Sequence, residues 1–99
     1  MNQAEMISLE REKIQKAIQS PEVEKIYFNG FSNSISGGDI LLTLFKNGEA
    51  IKVINTSFTV AKTLAIKLKE TIDIIEKKTG SQIMTTDFIQ IKLVESEKK

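Results

Sequence analysis

The sequence has no cysteine, no histidine and no tryptophan, and only one proline. Without cysteine there is no disulfide, no thiolate nucleophile and no clue to redox compartment. Without histidine the commonest metal ligand and the commonest general base are missing. A formal net charge of +1 over 99 residues provides no long-range field to gather nucleic acid or an anionic membrane. No uninterrupted apolar run is longer than Ile40-Leu41-Leu42, far short of a membrane span. The stretch Met1-Asn2-Gln3-Ala4-Glu5 has no basic region leading into an apolar segment, so a cytoplasmic location is expected.

The residues that remain do not assemble a reactive centre. Asp39, Asp73 and Asp87 are scattered, and no Asp-x-Asp or Glu-x-x-His occurs, so neither a metal site nor a cofactor is expected. A phosphate cradle needs glycine amides opening onto a helix N-terminus, whereas Ser36-Gly37-Gly38-Asp39 leads into a strand pattern. A Ser57–Lys62 pair is the nearest thing to a nucleophile and base. Ser57, however, has a structural task as a helix cap, and Lys62 falls on the outer face of that helix. No catalytic residue is assigned, and the expectation is a protein that is not an enzyme.

What is present is a change of hydrophobic period, from two to about 3.6 residues, between Glu24 and Gly80. Ahead of it, residues 3–19 read as a helix, with Asn2 and Glu5 in capping-box relation and Ser20-Pro21 as the stop. Its apolar stripe is thin: Met6, Ile7, Ile14, Ala17 and Ile18 share one side, and Leu9 lies outside it. Residues 24–35 are expected as the first strand. Ile26 and Phe28 would share one face, with Tyr27 and Phe31 on the other if the strand runs straight through Gly30; a bulge there would reset the alternation. Asp39 to Lys46 is apolar on both faces (Ile40, Leu42 and Leu44 against Leu41 and Phe45), which suits the middle of a sheet.

Asn47-Gly48 between apolar runs predicts a two-residue type I′ hairpin leading into a third strand over 49–56. Ser57 or Thr56 then caps a helix reaching about Thr79, with Gly80 placed for a left-handed C-terminal cap. Its apolar side, Val60, Ala61, Leu64, Ala65, Leu68, Ile72 and Ile75, spans an arc of about 140° and is expected to cover the sheet. The outer side alternates lysine with Glu70, Asp73 and Glu76, and Asp73 with Lys77 has the i,i+4 order of a surface ion pair. Ile66 stands alone among those charges. In the last segment, Ile89, Ile91 and Leu93 alternate as a strand would, while Thr86-Asp87 offers a cap for a short helix instead; the alternation favours a strand. Glu95 to Lys99 is expected to fray.

The spacing of Ile26-Tyr27-Phe28-Asn29-Gly30-Phe31, Gly38-Asp39-Ile40, Asn47-Gly48, Ser57, Ala61-Lys62-Thr63-Leu64-Ala65 and Glu76 … Thr79-Gly80 resembles small bacterial proteins grouped as a domain-of-unknown-function family. In these a strand meander precedes an Ala-Lys-x-Leu helix. The likeness covers about residues 24–88; it implies an α+β fold and a bacterial or phage origin, and brings no activity with it. A looser likeness is to the SecB-type export chaperones, which place an antiparallel sheet before a long helix and assemble through both. This chain differs in having three strands before the helix, where that fold has four, and in its lead helix.

The expected architecture is therefore a single α+β domain. A lead helix and linker (1–23) precede a three-stranded antiparallel meander with a long amphipathic helix packed on it (24–80), and a short strand or helix follows (81–99). A sheet whose middle strand is apolar on both faces needs cover twice, and the long helix supplies one layer. A homodimer or higher homo-oligomer is expected, with Ile7, Ile14, Ile18, Tyr27, Phe31 and Ile66 as candidate interface residues. The expected function is a protein-interaction or assembly module. The alternatives are a SecB-like holder of unfolded segments and a single-strand nucleic-acid binder using Tyr27, Phe28 and Phe31 beside Lys25 and Lys52, the last disfavoured by the mixed charge.

Overall fold

The computed structural model describes residues 2–97. In chain order it contains α1 (Gln3–Gln19), β1 (Gly30–Ser36), β2 (Asp39–Lys46), β3 (Glu49–Ser57), α2 (Phe58–Thr79) and α3 (Thr86–Glu97). The strands form one sheet in the order β1-β2-β3, an antiparallel meander with β2 in the centre, so the fold is α+β.

Local chemistry explains most boundaries. Asn2 Oδ1 accepts from the Glu5 amide at 2.8 Å, which satisfies one orphan donor at the start of α1, and Asn2 Nδ2 donates to Glu5 Oε1 at 3.4 Å, a contact between the two side chains. Ser57 Oγ accepts from the Val60 amide at 3.1 Å to begin α2, and Gly80, at φ 69°, ends it while donating to Glu76 O at 2.9 Å. Both tight turns use positive φ at both central positions: 59° and 96° at Gly37 and Gly38, 53° and 87° at Asn47 and Gly48. This is the type I′ signature, and its twist matches that of the flanking strands.

The two turns fix the register. A two-residue turn pairs its flanking residues, so Ser36 lies opposite Asp39 and Lys46 opposite Glu49. Counting back, Gly30 faces Phe45, and a Cβ built on Gly30 would lie 3.5 Å from Phe45 Cβ. Leu44 then has Phe31 on one side and Ile51 on the other. It is the one buried residue among the described residues, 4% exposed. The rest of β2 through Phe45 is half-buried, as a central strand with apolar residues on both faces requires.

The first strand is shorter than the pattern predicts. Residues 24–28 are not part of the sheet; pairing begins at Gly30, so Tyr27 does not share a strand face with Phe31. The Asn29 amide donates to Phe45 O at 3.0 Å, the carbonyl opposite Gly30, so two successive residues of one strand meet a single partner residue, as in a β-bulge. Asn29 Nδ2 donates to Asn47 Oδ1, and the Asn47 amide donates to Asn29 Oδ1, both at 2.9 Å. These bonds clamp the chain to the hairpin turn and stop Ile26-Tyr27-Phe28 from continuing the ladder.

The last segment is a helix, against the strand that its alternation favours. Thr85 Oγ1 accepts from the Phe88 amide and Thr85 O from the Ile89 amide, both at 3.1 Å, so Thr85 is the cap and Asp87 lies in the first turn. Glu95 and Glu97 belong to this helix rather than to a frayed tail; Lys98 and Lys99 lie outside the described residues.

The chain forms two compact units. One holds α1 and the residues up to Asn33 together with Leu42–Ile54. The other holds Ser34–Leu41 together with Asn55 onward, so that α2 packs at the sheet end carrying Ser34–Leu41.

Candidate interaction surface

Within the first unit, α1 presents Ile7, Ile14 and Ile18 on one side, and all three are exposed. After Gln19 the chain turns at Ser20, whose Oγ accepts from the Glu22 amide at 3.2 Å and whose carbonyl accepts from Lys25 Nζ. The following extended residues Glu24, Lys25, Ile26 and Tyr27 line a shallow open hollow with Lys46, Ile51 and Lys52. Lys52 Nζ is bound to Glu24 Oε2 at 2.6 Å, an ion pair on the flank of β3. The hollow thus brings Tyr27 together with Lys25 and Lys52, as a nucleic-acid platform would need. Yet both cations already have oxygen partners, and neither Phe28 nor Phe31 lines it.

In the second unit the apolar side of α2 is only partly covered. Val60, Leu64, Leu68, Ile72 and Ile75 keep between 42% and 55% of their surface exposed. Its outer side is charged, but Asp73 pairs with Lys69 Nζ at 2.9 Å rather than with Lys77, and Lys67 pairs with Glu70 at 3.6 Å. The hydrogen bond and charge of Asp73 raise the pKa of Lys69 above its ordinary value. Ile66 is exposed on this helix, in the unit that does not contain Ile7, Ile14, Ile18, Tyr27 or Phe31. Beyond α2, Glu76 Oε2 accepts from the Ile83 amide at 2.8 Å and ties the linker back to the helix.

On α3, Phe88, Ile89, Ile91, Leu93 and Val94 fall on every side of the helix at about 100° per residue. A helix apolar all round is normally buried, yet these five are 41–60% exposed. Lys92 lies over the Phe88 ring at 5.5 Å and pairs with Glu95 at 3.4 Å.

The strongest exposure lies on the sheet edge. Among the described residues Ile35, on β1, is the most exposed large apolar side chain at 75%, and Phe31 on the same strand is 62% exposed. Ile35 is absent from the candidates that periodicity singles out. The signal available for it was its i,i+4 relation to Phe31 within a strand that has no charged residue.

No group of three or more potential metal-ligating residues occurs among the described residues, and no helix there is long and apolar enough to cross a membrane. Ser57 Oγ is engaged in the α2 cap. Asp39 accepts from Asn55 Nδ2 at 3.1 Å within its own unit. The chain matches no protein family, no curated protein and no solved structure.

Proposed function

We propose that this chain is a non-enzymatic assembly module that works as a homo-oligomer. The observation that carries this reading is the scale of its uncovered apolar surface. In the second unit, Val60, Leu64, Leu68, Ile72 and Ile75 of α2 and all five large apolar residues of α3 keep more than two-fifths of their surface exposed. One buried side chain among the described residues is far less core than a domain of this length normally uses to offset its conformational entropy. Association with further copies supplies the missing cover without requiring any reactive group.

Such a protein gains stability by mass action, so its melting temperature should rise with protein concentration. A melting temperature that stays constant from low to high micromolar concentration overturns the proposal. A holder of unfolded segments would use the same apolar surface, but would need part of it open after assembly; suppression of aggregation of a model client distinguishes that use.

A further inference from the structure

The two edges of the sheet are chemically unlike. The β3 edge carries Glu49 and Lys52, the latter held by Glu24, and charge on an edge discourages pairing with another strand. The β1 edge, Gly30–Ser36, carries no charge and no proline. Its hydrogen-bonding groups have a fixed orientation. Ser36 and Asp39 flank a two-residue turn and exchange their backbone bonds, so by alternation Ser34 and Ser32 also face β2. Phe31, Asn33 and Ile35 therefore direct their amides and carbonyls away from β2, to the free edge.

The sequence of this edge is nearly symmetrical about Asn33. Ser32 and Ser34 flank it, and Phe31 and Ile35 lie beyond them. An antiparallel copy of the strand centred on the same residue places Phe31 opposite Ile35 of the second copy, serine opposite serine, and Asn33 on the two-fold axis. The outward-facing residues are the three that such a register turns into hydrogen-bonded pairs, giving about six backbone bonds. Aromatic with β-branched, and serine with serine, are favourable cross-strand pairs. Phe31 and Ile35 also lie on the face of Leu44, so pairing would continue that apolar face across the axis.

We infer that β1 is the self-recognition edge of the homo-oligomer, pairing antiparallel with β1 of a second copy about Asn33 to make one continuous six-stranded sheet. The inference rests on the self-association proposed above and names the surface and register by which it occurs.

The test compares two double variants that remove the same apolar groups. Phe31→Glu with Ile35→Glu sets like charges opposite each other across the axis; Phe31→Lys with Ile35→Glu sets opposite charges there. By sedimentation, the first should weaken association roughly tenfold or more, and the second should restore much of it. Equal weakening of both overturns the strand register. Unchanged association of the Glu/Glu variant overturns β1 as the edge while leaving self-association standing. A wild-type chain that does not associate overturns the proposed function, and this inference with it. Amide exchange on the unmodified chain serves if a variant misfolds: the Phe31, Asn33 and Ile35 amides should slow as concentration rises. Fast exchange at every concentration, in protein that sediments as an oligomer, overturns the pairing.

Discussion

β2 and α3 are the two segments that are apolar on every side, and they meet opposite surroundings. β2 lies between β1 and β3 and contains Leu44, the one buried residue among those described; every described residue of α3 is exposed. The contrast shows that an apolar pattern measures how much cover an element needs, not how much the chain supplies. β2 has a hydrogen-bonded strand on each side, supplied by sequence neighbours two residues away at each turn. α3 has no such cover: its apolar residues remain exposed.

Substitutions can break this contrast from either side. The largest effect is expected at Leu44: Leu44→Ala truncates the one buried side chain among the described residues and should cost about 3 kcal/mol, read as a lower urea midpoint. Next, Leu93→Glu on α3 should weaken association by about tenfold, near 1.4 kcal/mol, while the monomer's helical circular dichroism is retained. Unchanged association would mean that α3 stays solvated in the assembled protein. Gly80→Ala and Ser57→Ala test local structure instead. The first strains a residue at φ 69° and the second removes a cap, each costing about 1 kcal/mol whether or not the chain assembles.

The smallest effect belongs to the Lys69–Asp73 pair, which is solvated. Because Asp73 raises the Lys69 pKa in the folded chain, the contribution is complete below the ordinary value of 10.5 and disappears as pH climbs past the raised one. Lys69→Met should therefore shift the unfolding midpoint slightly at neutral pH and not at all above the raised value.

Elements whose boundaries depend on neighbouring residues were legible in the sequence. The Asn2 and Ser57 caps, the Gly80 stop and both glycine turns act over two to four residues, and α1, β2, β3 and α2 follow from them. The start of β1 was not legible, because the Asn29–Asn47 clamp joins residues eighteen apart and no local pattern announces it. The sequence left the α3 segment open between strand and helix, because an all-round apolar helix also satisfies alternation; the decisive residue was Thr85, one position before the expected cap. Of the candidate surface, Ile7, Ile14, Ile18, Tyr27, Phe31 and Ile66 were legible as apolar and are exposed. Ile35 was hidden because periodicity ranks faces, whereas its importance comes from lying on an edge.

Sedimentation equilibrium on the intact chain at micromolar concentration is the most direct test of the central claim that further copies cover the exposed apolar surface. The account predicts a mass of at least twice 11.1 kDa, falling toward the monomer on dilution. A single ideal species of 11.1 kDa across the whole concentration range would contradict it.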